Sequence, residues 1–168
     1  MKLGVISDTH LASPDATLER IVRDDFQGVD LLVHLGDYVN YSVADFLMKH
    51  HDFVGVSGNM DPPEIRDAFP RKQVLELEGF RIGMIHGWGP PFGLEEKIIK
   101  EFSDVDAILY GHTHKAVSHE KKGIFLFNPG SPTQSFLAQP TVGLVSIENT
   151  IGGEILRVNH ERIKGPFL

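Results

Sequence analysis

Five short motifs close successive apolar runs in this chain, and each carries a side chain able to bind a metal ion: Asp8-Thr9-His10, Gly36-Asp37, Gly58-Asn59, His86-Gly87 and Gly111-His112-Thr113-His114. Such groups delivered repeatedly from strand ends imply a metal centre. The chain has no cysteine, which excludes thiolate zinc sites and disulfide frameworks and leaves imidazole, carboxylate and amide groups as the ligands. Asp8 and His10 are two apart, as are His112 and His114. On extended backbone that period points both members of a pair to the same side. Either pair alone is weak, because an Asp or His near a strand end is commonly a cap, a turn residue or a satisfied surface group. Their occurrence together with the other motifs changes the balance.

These side chains need elements to hold them. The first half alternates an apolar run at 3–7, a helical pattern at 15–26, a run at 31–35, a helical pattern at 42–50 and a run at 53–57, which predicts βαβ units and a parallel sheet. Leu18, Ile21, Val22 and Phe26 fall at helical spacing, with Pro14-Asp15 starting that helix and Gly28 ending it. Ligands of open α/β sheets gather outside the carboxyl ends of the strands, where Asp8, Asp37 and Asn59 would sit. The second half predicts hairpins: 73–77 with 81–85 about Glu78-Gly79, 117–119 with 124–127 about Lys121-Lys122-Gly123, and 141–147 with 154–159 about Gly152-Gly153. A helical pattern at 94–102 and a buried strand at 107–110 lie between the first two. The expected fold class is α/β, two packed mixed β-sheets flanked by helices, as one domain over 1–168.

Hydrophobic residues at 41% beside 23% charged are ordinary for a globular protein, and no apolar run approaches the roughly 18 residues needed to span a bilayer. The amino terminus reaches Asp8 after only a few apolar residues and lacks the core of a secretory signal, so cytoplasmic residence is expected. A formal charge of −7 argues against sequence-independent grip on nucleic acid or an anionic membrane. Two divalent cations would partly offset it.

The ordered motifs resemble the signature of the calcineurin-like metallophosphoesterases, which runs Asp-x-His, Gly-Asp, Gly-Asn-His-Asp or Glu, His, and Gly-His-x-His. The match spans Asp8 to His114, and Asn128-Pro129-Gly130-Ser131 extends it toward the small YfcE-type phosphodiesterases. The resemblance implies a four-layer αββα sandwich and a metal-dependent phosphoesterase, hydrolysing a phosphodiester with a hydroxide or water bridging two divalent metals. It implies that Asp8, His10, Asp37 and His114 hold one ion, while Asp37, Asn59, His86 and His112 hold the other. Asp37 would be the bridge, setting a spacing of roughly 3.5 to 4 Å between the ions. Mixed ligation of this kind suits Mn²⁺ or Ni²⁺, with Fe, Co²⁺ and Zn²⁺ compatible, and fits poorly with Ca²⁺. One departure matters: Met60 stands where many relatives carry the histidine thought to protonate the leaving group. Small YfcE-type relatives also lack it. General acid catalysis is worth about 10² to 10⁴ in rate, so a slower enzyme favouring leaving groups of low pKa, such as aryl or nucleotide esters, is expected.

Other residues have weaker claims. Asp61 is expected to cap the turn or helix at Pro62-Pro63, with support of a ligand loop as the alternative. Trp88, in the stretch Gly87-Trp88-Gly89-Pro90-Pro91-Phe92-Gly93, either covers the site and stacks on a base or buries itself at the core edge. Asn128 and Ser131 are expected to support the Gly-His-x-His loop rather than act in catalysis. His34 reads as a packed core residue, and His50, His51, His119 and His160 as surface ones. Lys115, Arg66 and Arg71 are the cations near the motifs. A monoester carries an extra negative charge and would want more of them, which favours a small phosphodiester, with a nucleotide-like one compatible, over the substrate of a phosphomonoesterase or nucleotide phosphatase. A retromer subunit uses a related fold as a protein-binding scaffold, but lacks the bridging aspartate that Asp37 supplies here. No membrane partner and no sequence-specific nucleic-acid binding are expected, and a homodimer is favoured only as the commonest assembly.

Overall fold

The computed structural model describes residues 1–133 and 139–158. Alternation along the strands decides the layers. In β1 (Lys2–Ile6), Leu3 and Val5 enter one core while Ile6 enters another, as the two-residue period of a strand requires. β1 pairs in parallel with β2 (Leu31–His34), which pairs in parallel with β3 (Phe53–Gly55). On its other side β1 meets β9 (Thr141–Ile147) antiparallel, and β9 is joined antiparallel to β10 (Ile151–Arg157).

A second five-stranded sheet runs in the order β4 (Lys72–Leu77), β5 (Phe80–Ile85), β6 (Ala107–Tyr110), β8 (Ile124–Asn128), β7 (Val117–Lys121). Its three inner strands are parallel and both edges antiparallel. Between the sheets, Leu3, Val5 and Val33 meet Met84, Leu109 and Phe127. Helices close the outer faces. The first sheet is covered by α1 (Ala16–Arg20) with its π-helical continuation Ile21–Asp25, by α2 (Tyr41–His50) and by α3 (Pro63–Ala68), through Leu18, Ile21, Leu47 and Ile65. The second is covered by α4 (Leu94–Ile99), through Leu94 and Ile98. The result is two mixed sheets flanked by helices, in the expected four layers. No described helix is long and apolar enough to cross a membrane.

Local differences have physical reasons. Asp15 does cap α1, accepting from the Leu18 N–H, but the helix then widens, with Phe26 N–H bonded to Ile21 O. Past Ile99 the helical pattern continues only as i→i+3 turns through Phe102. The last hairpin does not turn at Gly152-Gly153. Both lie inside β10, paired with Ser146 and Val145, and the turn falls at 148–150. Gly153 serves close packing instead, since a Cβ there would sit 2.5 Å from the Phe127 ring. Asn159 and His160 lie outside the described residues.

Candidate metal centre

Each ligand-type side chain lies beyond the carboxyl end of a strand that has a parallel neighbour: Asp8 and His10 after β1, Asp37 after β2, Asn59 after the edge strand β3, His86 after β5, and His112 and His114 after β6. The two sheets present these ends at a common edge. Extended backbone is not what aims the paired residues. β1 stops at Ile6 and β6 at Tyr110, and Asp8, His10, Asp37, His112 and His114 have φ of 55, 47, 59, 71 and 55°. This corrects the period-two expectation: left-handed residues curl each loop until His10 Nε2 and His114 Nε2 stand 3.2 Å apart. Such conformations cost on the order of 1–3 kcal/mol each and persist when the surroundings over-determine them. Here Asp8 N–H donates to Gly36 O at 3.0 Å, His10 N–H to Asp37 O at 3.1 Å, and His112 N–H to Asp8 Oδ2 at 3.0 Å.

The side chains converge. Asp8 Oδ1 lies 3.2 Å from His114 Nε2, 3.8 Å from His86 Nε2 and 3.9 Å from His10 Nε2. Asp37 Oδ2 lies 3.2 Å from His86 Nε2 and 3.7 Å from His10 Nε2. On the outer side His112 Nδ1 is 3.0 Å from Asn59 Oδ1. Among the described residues two groups could hold an ion, Asp8–His10–His114 and Asp8–Asp37–His86.

Hydrogen bonds at the far side of two rings test the fit. His86 Nδ1 is 2.7 Å from Leu35 O and His112 Nε2 is 2.7 Å from Gly89 O. A carbonyl only accepts, so both of these nitrogens carry the proton. Neutral His86 therefore turns the lone pair of Nε2 toward Asp37 and Asp8, and neutral His112 turns that of Nδ1 toward Asn59. Acceptor faces acceptor across the centre. Buried Asp8 Oδ1 and His86 Nε2 have no hydrogen-bond partner, a costly state unless a cation lies between them. The donor set fits divalent metal, with carbonyls orienting the rings from behind as such ligands usually require.

In the metal-free protein, protons take the cation's part. Burial opposes charge on His86, yet the carboxylates of Asp37 and Asp8 outweigh it and hold the pKa above the usual 6.5. His114 is raised chiefly by its contact with Asp8. Asp37 is pushed up by burial, but His86, the Met60 N–H and His10 together bring it below the usual 3.8. A raised histidine pKa gives stability that is full below 6.5 and lost as pH climbs through the raised value. The lowered Asp37 gives stability present above 3.8 and lost as pH falls through its folded value. Metal-stripped protein should therefore melt at a lower temperature as pH rises past 6.5, while metal affinity rises over the same range because bound protons are displaced. Calorimetric melting across this range checks it, and a melting temperature that climbs with pH would refute the pairing.

Asp61 corrects the capping expectation. Its buried carboxylate turns away from α3, whose N-cap Pro62 has no side-chain cap. Oδ2 accepts from Asp37 N–H at 3.0 Å and Gly58 N–H at 2.7 Å, and Oδ1 from Val39 N–H at 2.9 Å. It thus ties the loop after β2 to the loop after β3, because three convergent amides outcompete one helix end. Asn128 Nδ2 donates to Gly111 O and Thr113 Oγ1, and Ser131 Oγ to Asp8 O, so both support ligand loops. His34 is fully buried and bonded to Gly36 N–H and Thr9 Oγ1. His50 and His119 are exposed, His51 partly so. Ser7 was not singled out by the motifs, yet its hydroxyl donates to Asp8 Oδ2 at 2.6 Å; a small polar residue before the motif is its only signal. Trp88 is half-buried against the α4 core and also lines a cleft, which joins the two alternatives.

A two-sheet sandwich with carboxylates and imidazoles gathered at its common strand edge is the architecture of a metal-dependent hydrolase. The profile of the calcineurin-like phosphoesterase superfamily domain matches residues 1–150, and the chain belongs to that superfamily. It is 34% identical over 161 residues to a probable metallophosphoesterase of Methanocaldococcus jannaschii, covering 94% of this chain and 82% of that one. It is 33% identical over 154 residues to the phosphodiesterase YfcE of Escherichia coli K12, covering 78% and 79%. A Thermotoga maritima protein solved by NMR in solution superposes with a TM-score of 0.72 at 33% identity, covering 93% of this chain and 98% of that chain. Metal-dependent phosphoester hydrolysis is the activity of this chain's class.

Proposed function

We propose that the chain is a phosphodiesterase working at a two-ion centre, with Asp8, His10, Asp37 and His114 on one side, Asn59, His86 and His112 on the other, and Asp37 shared. The observation that carries the diester reading is a pair of clefts, each lined in part by these residues. One, of about 290 Å³, is lined by Asn59, His86, Trp88, Arg66 and Arg71. The other, of about 940 Å³, is lined by His112, His114, Tyr110, Phe92 and Lys115. A diester has an esterified arm for each; a monoester has one arm to place.

When bound, the ions supply charge stabilisation for the phosphoryl oxygens and an acidified water. The chain's own residues do the positioning. Asp37 Oδ1 accepts from Met60 N–H at 2.8 Å, which fixes the carboxylate plane and aims Oδ2 at His86 and His10. Leu35 O and Gly89 O hold the His86 and His112 rings in the tautomers that face inward. The Met60 side chain, 59% exposed at the rim, has no proton to give, so leaving groups must depart as stable anions. We assign Mn²⁺ or Ni²⁺ as the ions and a small cytoplasmic diester, nucleotide-like in part, as the substrate. The intact, convergent ligand set weighs against a purely scaffolding role.

The test is turnover of bis(p-nitrophenyl) phosphate and of p-nitrophenyl phosphate by metal-stripped protein given back Mn²⁺, Ni²⁺, Co²⁺, Zn²⁺ or Mg²⁺. Metal-restored turnover should favour the diester by at least about tenfold in kcat/KM. A strong monoester preference would replace the diester reading, and no turnover despite bound ions would favour the scaffold. Met60→His should speed esters of poor leaving groups by up to about 10² and aryl esters much less.

A further inference from the structure

We propose that the smaller cleft is a second anion subsite, taking a phosphate carried on one ester arm of the substrate. The inference rests on the phosphodiesterase reading and narrows it: one alcohol of the diester bears a phosphate of its own, beside a flat ring or sugar.

Charge bookkeeping singles out this cleft. The chain is acidic overall, and many of its basic side chains are neutralised where they stand. Lys49 pairs with Asp45, Lys72 with Glu101, and Lys121 and Lys122 with Glu95 and Glu96. Arg66 and Arg71 line one cleft and have no carboxylate partner among the described residues. Asp8 and Asp37 are close by, yet their ionic contacts are with histidines. The two guanidinium groups therefore stand off the metal centre with their charge unspent, beside the place where the reacting phosphoryl group would lie.

Geometry suits them to a phosphate. Arg66 comes from α3 and donates through Nη2 to Asn59 O at 3.2 Å, which tethers it to a ligand loop and leaves most of its donors free. A guanidinium offers five N–H groups in a planar fork that matches phosphate oxygens two at a time. Arg71, exposed just before β4, has no described partner that binding must break. Two like charges in one cleft, walled on one side by Trp88 and Ile85, focus the local field on an incoming anion. A volume of about 290 Å³ is near the lower end of small-ligand sites, enough for a phosphorylated sugar or one ring, and too small for a polymer. The larger cleft differs: Lys121 is held there by Glu95 and Glu96, and Phe92 is 90% exposed. Lys115 also lines the larger cleft and has no carboxylate partner among the described residues, so the arms differ in degree: two guanidinium groups face one, a single unpaired lysine beside an exposed aromatic ring faces the other.

Trp88 is the chain's single tryptophan, so its fluorescence reports this cleft without any need for turnover. Thymidine 3′,5′-bisphosphate and thymidine 5′-phosphate are titrated into the metal-loaded protein, the R71Q variant and the R66Q/R71Q variant, each first shown to melt like the native chain. The bisphosphate should bind native protein at least about tenfold more tightly, R71Q should lose about tenfold for the bisphosphate, and the gap should close in the double variant. Equal affinities in native protein, or a gap that survives in R66Q/R71Q, would overturn the subsite. The same gap should appear in kcat/KM for the p-nitrophenyl esters of the two nucleotides. An arginine-dependent binding gap in a protein that hydrolyses neither ester would sink the phosphodiesterase reading while keeping the subsite. Turnover of both esters at equal kcat/KM would do the reverse.

Discussion

Asp37→Asn should lower kcat/KM on a chromogenic diester by at least about 10³-fold and leave one bound metal ion per chain or none. The reason lies in what each end of the side chain meets. Oδ1 accepts from Met60 N–H at 2.8 Å, while Oδ2 faces His86 Nε2 at 3.2 Å and His10 Nε2 at 3.7 Å. An amide must put its NH₂ at one of those places. Turned inward, it offers a donor where a ligand is needed; turned outward, it sets donor against donor at Met60 and frees the loop. The negative charge that offsets two cations is lost in either case. Metal analysis beside steady-state kinetics checks the outcome, and a variant that keeps two ions and near-native turnover would remove Asp37 from the bridging role.

The second large effect is expected at a residue that touches no ion. Asp61→Ala removes the acceptor shared by the amides of Asp37, Gly58 and Val39, which lie under the ligand loops. Stranding these donors should cost about 3 kcal/mol of stability, after allowing for water reaching the half-exposed Gly58, or roughly 6–12 °C in Tm. Metal affinity or activity should fall about 10- to 100-fold, as when other supports of metal ligands are lost. Asp61→Asn keeps part of the acceptor set and should fall between. Thermal melts with and without metal, and a metal titration, measure both. An alanine variant that melts and binds like the native chain would mean that something else holds Asp37.

Much of this architecture is legible in the chain itself. The runs that became β1, β2 and β3 alternate with helical patterns, and the hairpin turns at Glu78-Gly79 and Lys122-Gly123 carry left-handed residues where the strands reverse. The candidate metal ligands are visible because their types and order are restrictive. Less legible was anything set by partners distant in sequence. Gly152-Gly153 reads as a turn until the Phe127 ring beneath β10 is known. Asp61-Pro62-Pro63 reads as a helix start, and only the approach of the loop after β2 offers its carboxylate better donors. The left-handed backbone at Asp8 and His112 is held by loops distant in sequence, Asp8 by Gly36 O in the loop after β2 and His112 by the Asp8 carboxylate across the two sheets. Arg66 and Arg71 read as scattered surface cations, since only the packing of α3 beside the Asn59 loop places them in one cleft.

The sources of the ligands carry a further consequence. Asp8, His10, Asp37 and Asn59 hang from the first sheet, and His86, His112 and His114 from the second. The apolar seam between the sheets is non-directional and would by itself tolerate small sliding. Cations held by both sets of loops would clamp that seam at one edge, a cross-link in a chain with no cysteine to form one. Metal occupancy would then govern how rigidly the two halves are registered, and with it the width of both clefts.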